Sequence, residues 1–195
     1  VASRLIRDSL ESIPPDLTAG EMLAEVRQRM TDAHATLRES QDGDMHEVSA
    51  STVVVLIARG EHFAILWAGD SRAYLLRGGA MTQLTRDHSL VQEMVDAGAI
   101  SAEEAESHPS ANVITRAVGS DGELDLDKVS SRLEPGDRFL LCSDGLCKVV
   151  PEAEMAALLA LPGHEELSAR LVASALAHHS RDNVTAVAVE VLSTS

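Results

Sequence analysis

Three acidic residues, each placed where an apolar run breaks off, are the part of this sequence equipped for chemistry. Asp70 sits in WAGDSRAYLL (67–76), Asp144 in RFLLCSDGL (138–146) and Asp182 in SRDNVTAVAVEV (180–191). The adjoining runs of Leu, Val, Ile, Ala and aromatic residues read as buried strands, which puts a carboxylate at each strand end. Carboxylates brought in on separate strands can converge on a hard divalent ion, since Mg²⁺ and Mn²⁺ take carboxylate and water oxygens. The sequence therefore predicts a metal site built from Asp70, Asp144 and Asp182. Each acid also has an ordinary reading taken singly. Asp70-Ser71-Arg72 suits a hairpin turn with an ion pair through Arg72, Ser143-Asp144-Gly145 suits a turn closing a strand, and Asp182-Asn183 suits a cap on the last strand.

Other polar groups point elsewhere. Cys142 and Cys147 bracket Asp144 at C-x4-C spacing, with no second cysteine pair or spaced histidine set, so free thiols are expected rather than a zinc or redox site. His178 and His179 close a helix, where they answer its dipole. His88 and Ser89 begin a helix. Asp121, Glu123, Asp125 and Asp127 alternate like a calcium loop, but Leu126 occupies the position where the EF-hand turn needs Gly. They read as the exposed face of a strand.

The elements that must position these groups follow from periodicity. Leu5, Ile6, Leu10 and Ile13 share a helical face that Pro14-Pro15 ends. A second helix opens at Thr18, with Glu21 completing a capping box, and turns Met22, Val26, Met30, Ala33 and Leu37 inward. A polar connector is expected over Gln41–Glu47. Strands are predicted at 49–58, 62–68 and 71–76, and the short Gly-containing turns between them predict antiparallel pairing. A helical pair follows, Leu90–Val95 closed by Gly98 and a second helix capped by Ser101 and Glu104, placed to act as a flap and equally compatible with an ordinary surface helical hairpin. Alternation resumes over Glu123–Val129, and Pro135-Gly136-Asp137 turns into the strand carrying Asp144. Two helices at about 151–161 and 165–178 precede a last strand at 184–192. The fold class predicted is α+β, a central antiparallel β-sandwich flanked by helices, in one domain spanning 1–195.

Composition narrows the function. With 195 residues and 45% hydrophobic residues the chain can bury a core without disulfides. No apolar stretch approaches the roughly 20 residues of a membrane span, and nothing resembles a signal peptide, so the expectation is a cytoplasmic protein with no membrane partner. A net charge of -15 argues against a nucleic-acid partner and leaves any phosphorylated ligand to be drawn in by metal cations. The aromatic residues, Phe63, Trp67, Tyr74 and Phe139, all fall in predicted strands. They leave no stacking surface for bases or sugars.

WAGDSRAYLL, LTRDHS (84–89), NVITRAVG (112–119), GDRFLLCSDGL (136–146) and DNVT (182–185), in this order, resemble the motifs of the metal-dependent serine/threonine protein phosphatases of the PPM or PP2C type. The stretch VQEMVDAGAISAEEAESHP (91–109) looks like the flap of their bacterial members. The resemblance implies a helix-flanked β-sandwich holding two to three Mn²⁺ or Mg²⁺ ions. It implies in-line attack of a metal-activated water on phosphoserine or phosphothreonine in a protein substrate, and often a cognate serine/threonine kinase as the opposing partner. Carried over residue by residue, Asp144 and Asp182 would bind the second catalytic metal, and Asp70 with Asp144 a third, weaker one. Asn183 would support the loop.

The resemblance also implies an Asp-Gly-x-Gly-Gly-His segment whose Asp bridges two metals, and a preceding hairpin with a phosphate-gripping Arg. This sequence opens instead with Val1-Ala2-Ser3-Arg4-Leu5. The expectation drawn from this is a phosphatase domain incomplete at its N-terminus, with N-terminal strands missing and the 195-residue chain weakly active or inactive. The alternative is a catalytically dead phosphatase-like module that binds a phosphoprotein or a kinase.

Overall fold

The computed structural model describes residues 2–41, 49–163 and 166–192. Two antiparallel sheets face each other. The first orders β1 (Val53–Arg59), β2 (His62–Ala68) and β5 (Asp127–Arg132) as β1-β2-β5. The second orders β3 (Arg72–Arg77), β4 (Ala80–Gln83), β6 (Arg138–Cys142) and β7 (Ala186–Glu190) as β4-β3-β6-β7. Alternation along each strand divides the apolar residues between two sides. Phe63, Ile65 and Trp67 of β2 meet Ala73, Leu75, Phe139 and Leu141 across the inter-sheet core. There Phe63 and Phe139 contact edge to face, with centroids 4.8 Å apart.

Helices cover the outer faces. Helices α1 (Ala2–Glu11) and α2 (Ala19–Gln41) bury Ile6, Val26, Met30 and Leu37 against Val53, Ile57 and Leu66 of the first sheet. The capping box at the start of α2 forms as predicted, with the Thr18 N–H donating to Glu21 at 2.9 Å and the Glu21 N–H to Thr18 Oγ1 at 3.4 Å. Helices α6 (Glu152–Leu159) and α7 (Leu167–Ala177) bury Met155, Leu159, Leu167 and Leu171 against Tyr74 and Leu140 of the second sheet. Because both faces of both sheets are covered, strands such as FLLC read as unbroken apolar runs. Each such side chain contributes about 1.5–3 kcal/mol on full burial. The four-layer α+β sandwich matches the predicted fold class.

Several local expectations are corrected. The strands flanking Gly69-Asp70 do not pair with each other. Ala68 ends in the first sheet and Arg72 begins in the second, so this short connection crosses the sandwich instead of closing a hairpin. Gly69, at φ +116°, makes the turn possible. The true hairpin partner of β3 is β4, reached through Gly78 and Gly79, both at positive φ as a tight right-twisting hairpin requires. Strand β5 begins only at Asp127, so Asp121, Glu123 and Asp125 lie outside it. The alternation upstream reflects Leu124 and Leu126 dropping into the core under α2, not ladder pairing. Of the connector expected over Gln41–Glu47, Gln41 is the last residue of α2 and the rest lies outside the described residues. The edge strand β7 carries Val187 and Val189, opposite Leu141 and Phe139, at 48% and 36% exposure.

The flap consists of α3 (Leu90–Asp96) and α4 (Ala102–Glu106), each N-capped by a serine, with Ser101 and Glu104 forming a full capping box. Its two ends meet at a neck where Ser89 bridges Ile114, the Leu90 N–H donating to Val113 and the Thr115 N–H to His88, both at 2.9 Å. Among the described residues no helix is long and apolar enough to cross a membrane.

Candidate active site

Asp70 lies on the crossover between the sheets, and the peptide that carries it is fixed on all sides. The Gly69 N–H donates to His88 Nδ1 at 3.2 Å, and the His88 N–H donates to the Gly69 carbonyl at 2.9 Å. With Nδ1 accepting, His88 carries its proton on Nε2, which donates to Asp127 at 3.2 Å. The imidazole also stacks on Trp67, whose own N–H donates to the Arg86 carbonyl. His88 is thus a positioning residue for the Asp70 turn as well as the residue preceding the flap's N-cap. Replacing it with Ala removes a buried ring and orphans the Gly69 N–H. A loss of about 2–4 kcal/mol is expected in chemical denaturation.

Asp144 opens a four-residue helix, α5 (Asp144–Cys147), where a simple turn was expected. The Asp182 loop is strapped to this helix. Ser143 Oγ donates to the Asn183 carbonyl at 3.1 Å and accepts the Thr185 N–H at 3.0 Å, while Ser180 Oγ donates to the Gly145 carbonyl at 2.8 Å. Gly145 is needed for that contact, because a Cβ there would lie 2.4 Å from the Asn183 carbonyl oxygen. Asp182 itself is exposed and accepts the Asn183 N–H at 2.6 Å.

Asp70, two residues before β3, and Asp144, two residues after its paired neighbour β6, come together onto one cationic point, the ammonium of Lys148. Lys148 Nζ donates to Asp144 Oδ2 at 2.9 Å, to Asp70 Oδ2 at 3.3 Å and to Asn112 Oδ1 at 3.2 Å. Burial pushes the Asp70 carboxyl up from its usual range, the Asp144 carboxylate pushes it the same way, and Lys148 offsets part of both. Among the described residues, no three His, Cys, Asp or Glu side chains converge as a metal cage. The Asp182 carboxylate is engaged locally by the Asn183 N–H rather than by Lys148.

Asp70 and Lys148 open onto a cavity of about 760 Å³ between the second sheet and the flap, lined also by Asp87, His108 and Asn112. Arg72 also lines it, but its guanidinium is held by Asp87 at 2.9 and 2.7 Å. That is the ion pair expected of Arg72. The cysteines are free thiols, as expected, Cys142 buried and Cys147 facing the cavity. A hydrogen bond between them pushes Cys142 up and holds Cys147 below the usual thiol range. Among the histidines at the end of α7, His178 pairs with Glu154 at 2.9 Å.

The sequence reading passed over Lys148, Asn112, Gly145 and the positioning role of His88. Lys148 had a signal: it follows Asp144 by four residues, the helical spacing that lets two side chains meet. Using it required anticipating α5.

Comparison with known proteins agrees with this architecture. The family model for protein phosphatase 2C matches residues 1–185. The serine/threonine protein phosphatase PstP of Mycobacterium tuberculosis is 35% identical over 195 residues, covering 98% of this chain and 37% of the relative. This chain therefore spans little more than a third of that curated relative's length. Among solved structures, PppA, a key regulatory component of T6SS in Pseudomonas aeruginosa, superposes with a TM-score of 0.88 at 37% identity, covering 97% of this chain and 78% of PppA. The catalytic domain of a serine/threonine protein phosphatase PstP in complex with two manganese ions gives a TM-score of 0.87 at 31% identity, covering 98% of this chain and 81% of that domain. With a family model spanning residues 1–185 and relatives above 30% identity over nearly the whole chain, the chain belongs to the protein phosphatase 2C family.

Proposed function

We propose that this chain acts in metal-dependent hydrolysis of phosphoserine and phosphothreonine on proteins. The observation that carries the reading is the convergence of Asp70, just before β3, and Asp144, just after its paired neighbour β6, on a single positive charge. The donor set suits hard divalent cations, and the ammonium between the two acids supports reading the pair as a cation site. Asp144 and Asp182 would hold one Mn²⁺ or Mg²⁺, and Asp70 with Asp144 form a second, weaker cation position. Bound ions supply a water of lowered pKa and neutralise the phosphate oxygens.

The chain's own residues do the rest. Hydrogen bonds through His88, Ser143 and Ser180 hold the two acid-bearing loops in place, and the cavity beneath the flap offers room for a phosphorylated side chain and its flanking residues. Arg72, committed to Asp87, is not free to grip phosphate. At a net charge of -15 the protein repels an acidic substrate until cations are bound, so substrate binding follows metal binding. A phosphoprotein made by a serine/threonine kinase in the cytoplasm fits this chemistry.

The absence of a three-acid convergence among the described residues favours a second reading, a phosphoprotein- or kinase-binding module without turnover. Hydrolysis of a phosphothreonine peptide across a Mn²⁺ titration separates the two. Metal-dependent turnover that falls at least about 100-fold in Asp182→Asn is the result expected of the enzyme. Peptide binding without turnover selects the module, and turnover indifferent to Asp182→Asn removes the metal-site assignment.

A further inference from the structure

Lys148 lies where the proposed function places a weakly held metal ion, and its surroundings are complete without one. An ammonium has three N–H donors. Here the three acceptors within reach are Asp144 Oδ2 at 2.9 Å, Asn112 Oδ1 at 3.2 Å and Asp70 Oδ2 at 3.3 Å. The three acceptors come from three parts of the chain: α5, the flap's return strand and the inter-sheet crossover. The position is set by the backbone. Lys148 is the C-cap of α5, four residues after Asp144, so the side chain folds back along the helix onto the acid.

The electrostatics favour this arrangement. Asp70 is 6% exposed and lies beside a second carboxylate, and two unneutralised charges in so little solvent repel strongly. A cation tethered by the chain meets that need at an effective concentration on the order of millimolar or more, with no association cost. A free divalent ion held by only these two carboxylates must displace the ammonium and break its bond to Asn112.

We propose, resting on the metal-site reading above, that Lys148 is the resident cation of the Asp70–Asp144 pair and replaces the weakest metal ion of the site. One consequence follows for the flap. Asn112 lies just before its neck, so the lysine ties the flap to the acid pair whether or not metal is present.

The test is a Mn²⁺ titration followed by the paramagnetic resonance of free Mn²⁺, run on the 195-residue chain and on variants shown to melt cooperatively. Lys148→Gln is expected to bind one more Mn²⁺ per chain than the unaltered protein, and adding Asp70→Asn to remove that ion. Lys148→Arg, which keeps the charge, is expected to match the unaltered protein. Equal stoichiometry and affinity in the unaltered chain and Lys148→Gln, with binding still reduced by Asp182→Asn, overturns the lysine assignment and leaves the metal reading intact. No Mn²⁺ on any of these proteins overturns both.

Discussion

Gly145→Ala is expected to cost at least as much Mn²⁺-dependent turnover as Asp182→Asn, about 100-fold or more, although it removes no ligand. The added methyl would lie 2.4 Å from the Asn183 carbonyl oxygen and 3.4 Å from Asp182 Cβ. The near atom is backbone, so relief requires the whole 180–185 loop to lift from α5. The loop is held by hydrogen bonds through Ser143 and Ser180, and these break with the displacement. Asp182 then moves away from Asp144, and a misplacement of about 1 Å at a reacting centre is enough for a loss of this order. The stability cost is smaller, about 1–3 kcal/mol, as for overpacking elsewhere. Turnover and Mn²⁺ affinity measured beside a thermal melt check this. A variant as active as the parent would mean that the Asp182 loop does not serve the site.

Asp137→Ala should give the largest loss of stability, about 3 kcal/mol or more. Asp137 is 1% exposed at the turn into β6 and accepts two hydrogen bonds from Arg77, the Oδ1 contact at 2.7 Å and the Oδ2 contact at 2.6 Å. It also accepts the Glu134 N–H at 2.8 Å. Burial raises this carboxyl, but the Arg77 and Glu134 hydrogen bonds outweigh it and hold the group below the usual carboxylate range. A folded-state pKa below the unfolded one means the contribution is complete above the unfolded value, about 3.9, and is lost as pH falls through the folded value. Denaturation by urea at a series of pH values should therefore show the gap between parent and variant wide at pH 7 and closing in acid. A gap that stays constant with pH would show that the loss comes from packing rather than from the charge.

The layers of this fold were legible because aliphatic patterning reports burial directly. Val26, Met30 and Leu37 at helical spacing face the core they were expected to face, and the run holding Phe63, Ile65 and Trp67 forms the buried strand expected over 62–68. Connectivity was less legible. Gly69-Asp70 and Gly78-Gly79 are both short glycine turns, yet one crosses between sheets and the other closes a hairpin, and only long-range pairing tells them apart. Strand β4 went unnoticed because Ala80, Met81, Thr82 and Gln83 carry little apolar character at a sheet edge. In the site, the acids stood out as charges interrupting apolar runs. Gly145 and Lys148 did not, since their importance lies in what they approach from distant sequence: the Asn183 carbonyl for one and Asp70 for the other.

The neck of the flap has a consequence for how this protein can change. Because Ser89 and Ile114 pair across it, the chain leaves and re-enters the sandwich at nearly the same place. Lengthening or exchanging the residues between them alters no strand register, and loop closure charges only slowly for added length. Both flap helices carry their own serine caps. The roof of the cavity is thus a cassette: new recognition surfaces can be installed by rewriting one continuous segment, provided Asn112, which reaches Lys148, is kept.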